Sequence, residues 1–158
     1  MHAISLIILA LAAFSLALPS LIPRNTTCSL PTSFTISAFS SFTPAENNTI
    51  PQETTFEYYD STFTAPIHCT VTGKHRPSDL TACTDAAVSF KYNGTGSTSG
   101  VLTIKENVAG CGISIVGSVG VATFCYPVTN AFPFGVGTEC QTPTVSFGGV
   151  FSPATVVG

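Results

Sequence analysis

The stretch that decides the fold reads AAVSFKY over residues 86–92, NGTGSTSG over 93–100 and VLTIK over 101–105. Val88, Phe90 and Tyr92 fall on one side of the first segment, with Ser89 and Lys91 on the other. In the second, Leu102 and Ile104 alternate with Thr103 and Lys105. An apolar period of two with a half-polar partner face is the pattern of a strand that buries one side. Joined by a glycine- and serine-rich link, the two segments predict a β-hairpin. Cysteines bracket it, Cys69 and Cys83 before and Cys111 and Cys125 after.

The same period recurs outward from the hairpin. Residues 33–39 (SFTISAF) predict a first strand with Phe34, Ile36 and Ala38 inward, and residues 40–52, with Pro44, Pro51 and the Asn47-Asn48 pair, predict a loop. Residues 54–63 (TTFEYYDSTF) predict a second strand, Phe56 and Tyr58 opposite Glu57. Residues 67–72 (IHCTVT) predict a third, with Ile67, Cys69 and Val71 inward and His68, Thr70 and Thr72 outward. The apolar run 113–125 is interrupted by Gly117 and Gly120, which predict a bulge, bend or tight hairpin. Residues 126–144 carry Pro127, Pro133 and Pro143 and read as mostly loop, with a last short strand at 144–147. No helical period persists over three turns from Leu21 onward. The expectation is an all-β chain: a single small antiparallel β-barrel or sandwich over residues 25–150, followed by a loose tail at 151–158.

Composition agrees. Charged residues are only 8% of the 158 residues, far below the usual share of a soluble domain. Threonine and serine fill the gap, a bias that suits strands and turns. A net charge of -3 with five basic residues offers no basic patch, so nucleic acid is excluded as a partner. Residues 3–18 are apolar apart from Ser5 and Ser15, and Ser15-Leu16-Ala17 places small residues before a cleavage after Ala17. Residues 1–17 therefore read as a secretory signal peptide. Pro19 closes the run short of a membrane span, so no membrane association is expected after removal. Residues 18–24, ending in Arg24, read as a short propeptide.

In an exported domain the six cysteines imply a disulfide framework, with several connectivities open. No CxxC-like spacing supports a metal cluster, and no metal or other cofactor is expected. Catalytic sets are weak. No serine stands in a GxSxG elbow, oxidised cysteines supply no nucleophile, and His68 and His75 read as surface residues. Glu53, Glu57 and Asp60 lie close in sequence, but Glu57 and Asp60 face opposite sides of an extended strand, and Glu46, Glu53, Asp60, Asp79 and Asp85 near loops lack EF-hand spacing. Tyr58, Tyr59 and Tyr92 are the available aromatics for a carbohydrate platform in a chain without Trp. The N-x-[ST] sequons at Asn25, Asn47 and Asn93 are candidate glycan acceptors. Lys74, His75 and Arg76 cluster in the loop 73–80 and are the candidate recognition residues, because exposed loops on a rigid frame carry binding.

The order of these features resembles the Alternaria alternata major-allergen family, secreted fungal β-barrels that include allergens and elicitors of plant immunity. The matching features are an early Cys28 before FTISAF, the aromatic FEYYD, Cys69 and Cys83, the FKY…GVLTIK hairpin, and Cys111 and Cys125. The resemblance implies a single barrel with bridges Cys69–Cys83 and Cys111–Cys125. It implies no enzymatic site, but extracellular binding of a host (plant) protein or a small apolar ligand. In the family an early cysteine like Cys28 joins two monomers. This chain departs by carrying Cys140, so an internal Cys28–Cys140 bridge competes with a disulfide dimer. A cell-wall or carbohydrate-binding role is the second reading.

Overall fold

A computed structural model describes residues 28–73, 79–94, 98–131 and 135–152. Ten strands follow in order: β1 (Ser33–Pro44), β2 (Glu53–Tyr59), β3 (Ile67–Thr72), β4 (Thr81–Ala82), β5 (Val88–Gly94), β6 (Ser99–Val108), β7 (Ile113–Ala122), β8 (Phe124–Ala131), β9 (Gly135–Gln141) and β10 (Ser146–Phe151). All pairings are antiparallel, along the path β3-β2-β1-β10-β7-β6-β5-β4. The path curls into a nearly closed barrel because its two ends are joined. Cys69 of β3 is bonded to Cys83, which follows β4, and Thr84 donates its backbone N–H to the His68 carbonyl at 2.9 Å.

The predicted hairpin is β5–β6, with Val88, Phe90, Leu102 and Ile104 fully buried. Their side chains meet Phe34, Ile36, Phe39, Phe56 and Tyr58 from β1 and β2 in one apolar core. Phe56 stands edge-on to Phe90 at 4.8 Å and Phe39 edge-on to Tyr92 at 5.1 Å, an arrangement the ring quadrupoles favour.

Four expectations are corrected. Ala38 does not face inward. It adopts φ 52° where the β1–β2 register shifts between Ser37 and Ser40, and this bulge hands the inward position to Phe39. Beyond it β1 runs on to Pro44, using its second edge to pair with β9. Gly117 and Gly120 cause no break, since β7 keeps register with β6 from Ile113 to Ala122. Residues 126–144 are mainly the β8–β9 hairpin rather than loop. Pro127 is tolerated there because β8 pairs with β9 alone and is therefore an edge strand.

Two of the disulfide expectations also fail. The structure pairs Cys28 with Cys111 and Cys125 with Cys140, alongside Cys69 with Cys83, and no cysteine is free. Cys111 precedes β7 and Cys125 follows it, so the ten residues of β7 hold them about 30 Å apart, far beyond disulfide reach. Cys28 and Cys140 are separated in the same way. Cys28 precedes the start of β1, whereas Cys140 pairs with Ser41 near its end. Cys140 instead lies directly across the ladder from Cys125. The signal-peptide and propeptide expectations, Asn25, and the tail beyond Ser152 lie outside the described residues.

Gly117 and Gly149 give Phe34 its room. A Cβ on Gly149 would stand 2.3 Å from the Phe34 ring, whereas one on Gly120 meets nothing within 4 Å. Gly149→Ala is expected to lower stability in urea unfolding by about 1–3 kcal/mol, the usual cost of overpacking, with Gly120→Ala near neutral. A non-reducing peptide map should recover 28 with 111, 69 with 83 and 125 with 140. A linked 111–125 peptide would refute this strand order.

Candidate functional site

Of the recognition residues, Lys74, His75 and Arg76 lie outside the described residues. Asn47 is exposed in the turn after β1, and Asn93 is exposed at the end of β5. His68 lies on the outer face, its Nδ1 3.0 Å from Glu57 Oε1 and its Nε2 3.4 Å from Thr55 Oγ1. Among the described residues no three His, Cys, Asp or Glu side chains converge as a metal site. Tyr58 is fully buried and Tyr92 packs over Gly100, so of the three predicted platform tyrosines only Tyr59 is largely exposed.

The structure does bring together two acids that the sequence did not connect. Asp60, just after β2, is 3% exposed, and Glu106 of β6 is 1% exposed. Burying carboxyl groups is costly unless their oxygens find partners, and here they share two hydroxyls. The Tyr58 phenol contacts Asp60 Oδ2 and lies 2.7 Å from Glu106 Oε2. The Thr62 hydroxyl lies 2.7 Å from Asp60 Oδ1 and 3.1 Å from Glu106 Oε1. The Thr62 backbone N–H also donates to Asp60 Oδ1 at 2.7 Å. Phe63 lies edge-on to the Tyr58 ring at 6.0 Å.

Counting protons assigns the charge states. A phenol carries one hydrogen, so bonding two carboxyl groups at once requires one of them to be a protonated donor. Thr62 also has one, and the shorter contact directs it to Asp60. Asp60 is therefore the carboxylate, accepting from Tyr58 and twice from Thr62, and Glu106 is the neutral acid, donating through Oε2 to the phenol oxygen. The electrostatics agree. Burial first, then the hydrogen bond and charge of Asp60, raise Glu106 from the ordinary 4.5 to about 7. Burial works to raise Asp60 as well, but the neighbouring Glu106 acid and the hydrogen bonds from Thr62 and Tyr58 outweigh it and hold Asp60 below its ordinary value. Burial, then both carboxyl groups, push the Tyr58 phenol well above the usual range.

The signal for Glu106 was present in the sequence. Leu102, Ile104, Glu106 and Val108 share one phase of β6, so an acid stands on the apolar face. Ending the predicted strand at Lys105 hid it.

Beside the pair lies a cavity of about 470 Å³, walled by Phe63, Ala87, Val108, Ala109 and the Cys28–Cys111 bridge. Thr62, Asp85 and the buried Glu106 contribute to its lining. A second cavity, about 410 Å³, is lined by Thr43, Glu53, Tyr92 and Asn93 among others. No protein-family model matches the chain, and no curated protein matches it in sequence. Solved structures do match in fold. One crystal structure of the Alternaria alternata major allergen Alt a 1 superposes with a TM-score of 0.56 at 16% identity, covering 78% of this chain and 94% of the allergen. Another gives 0.58 at 16% identity, covering 82% and 95%. The chain has the Alt a 1 fold. At that identity the likeness is one of architecture, and the acid pair of the present Alt a 1-like barrel stands on its own geometry.

The two acids predict a stability optimum. Glu106 holds its proton in the folded chain up to about 7 and in the unfolded chain only to about 4.5. Its contribution is complete below 4.5 and is lost as pH rises through 7. Asp60 acts oppositely, contributing above its ordinary 3.8 and losing this as pH falls through its lower folded value. Stability in urea should peak in mildly acidic solution, roughly pH 4–5. Glu106→Gln, which still donates to the phenol but cannot ionise, should flatten the decline towards pH 8. Parallel profiles for wild type and variant would refute the assignment.

Proposed function

We propose that the chain is a secreted, non-enzymatic protein of the allergen and elicitor type, acting outside the cell by binding a host protein or a small apolar ligand. The observation that carries this reading is the combination of the Alt a 1 fold with a carbon-walled cavity of ligand size at one end of a disulfide-fastened barrel. Three bridges fit an oxidising compartment. The two acids are joined through Tyr58 and Thr62 rather than set apart across a cleft as a hydrolytic pair would be. Protein recognition is assigned to Lys74, His75 and Arg76 and to the hairpin end at Asn93.

The immobilised mature protein, challenged with extracellular fluid from plant tissue, should retain a saturable binder that is lost when residues 74–76 are replaced by a Gly-Ser linker. Undiminished retention would remove the loop from the account. Asn47 and Asn93 are exposed, whereas the Asn48 side chain is tied to the Val136 carbonyl at 2.7 Å. Secreted material treated with an amide-cleaving glycosidase should therefore lose mass at Asn47 and Asn93.

The carbohydrate reading gains one observation. Phe124, 67% exposed, lies beside Tyr126 on β8 with ring centres 6.2 Å apart. Retention on insoluble chitin or glucan that disappears with Phe124→Ala would favour it.

A further inference from the structure

The cavity beside Glu106 has an unbalanced electrostatic character. Its walls are mostly carbon, yet the ionisable side chains that line it are acidic: Asp85, which is exposed, and Glu106, buried in the wall behind the Thr62 hydroxyl. Asp60 stands immediately behind, bonded through Tyr58 and Thr62. From the strands on either side of β6, Glu106 has Val88 and Ile115 as its cross-strand partners, neither of which can titrate. Lys105, the adjacent residue of β6, alternates to the other face. No Lys, Arg or His lines the space among the described residues. An anionic ligand would find no counter-charge here. A cation would find a buried carboxyl whose Oε1 holds the longest contact of the network, 3.1 Å to Thr62.

We propose that this cavity binds a small organic cation, an apolar or aromatic body carrying a protonated amine, with Glu106 as its counter-ion. The apolar body lies against Phe63, Ala87 and Val108, and the ammonium donates to Glu106 Oε1 in place of the Thr62 hydroxyl, which keeps its shorter bond to Asp60. The amine keeps its own proton. Glu106 gives up the one it had donated to the Tyr58 oxygen and releases it to solvent, and the phenol, freed from accepting, still donates within the network. One proton leaves for each cation bound, so affinity rises with pH until Glu106 is ionised in the free protein. This deepens the small-ligand reading proposed above and rests on it.

The chain has no tryptophan, so indole probes can be followed by their own fluorescence. Tryptamine, a cation, and tryptophol, its neutral counterpart, should be titrated into the intact oxidised protein at pH 5 and pH 8. Tryptamine should bind about tenfold or more tightly at pH 8, releasing a proton seen as a buffer-dependent heat, while tryptophol binds more weakly with no pH dependence. Glu106→Gln should bring tryptamine down to the level of tryptophol. Ala87→Phe, which fills the cavity and replaces neither acid, should abolish both. Equal, pH-independent binding of both probes that Ala87→Phe removes would overturn recognition of charge and leave the small-ligand reading standing. Absence of binding by either probe, or tryptamine binding unchanged in both variants, would overturn the site itself.

Discussion

The barrel depends on a seam. A path of strands beginning at β3 and ending at β4 has two free edges, and β4 is only two residues long. Such edges would expose unpaired backbone and leave the inner face open to water. The Cys69–Cys83 bond and the Thr84–His68 hydrogen bonds hold these ends together, and the sheet can then curl around its own side chains. Core aromatics from β1 and β2 meet those of β5 only because this joint brings the start of the path onto its end. The other two bridges fasten what the path leaves loose: Cys28–Cys111 ties the segment before β1 to the β6–β7 turn, and Cys125–Cys140 clamps the β8–β9 hairpin.

Within the barrel, the buried carboxyl groups of the described residues are confined to one place. Tyr58, Asp60, Thr62 and Glu106 form a ring of hydroxyl and carboxyl oxygens at the edge of an otherwise apolar core. Low local dielectric strengthens such a ring when it is satisfied and makes it costly when one proton is missing. The network links the turn after β2 to β6, so that turn is held by charge-sensitive bonds rather than by apolar packing alone. Chemistry and structure meet here, because two of these groups, Thr62 and Glu106, also line the cavity beside the Cys28–Cys111 bridge.

Likeness to Alt a 1 extends over most of both chains at low identity. A fold tolerates that divergence when its constraints are few, and here they are the strand period, the seam and the places where glycine admits an aromatic ring. What a barrel binds is set by side chains at its ends and in its loops, which those constraints leave free to change.

Much of the fold was legible in the sequence because strand formation is a local matter. Alternation over residues 86–105 determined the central hairpin, FTISAF, FEYYD and IHCTVT determined three further strands, and low charge with abundant threonine determined an all-β class. The tertiary structure alone decided the rest. Disulfide partners depend on which strand ends lie side by side: β7 separates Cys111 from Cys125, while the β9 register sets Cys140 against Cys125. The phase change at Ala38 follows from β1 serving three neighbours at once, a demand no local pattern records. Pro127 could be placed in a strand only once β8 was known to be an edge. Asp60 and Glu106, far apart in the chain, became one site because closing the barrel set the end of β2 against the end of β6. Periodicity tells each segment which side to bury, but which buried side it meets is determined by the path of the whole sheet.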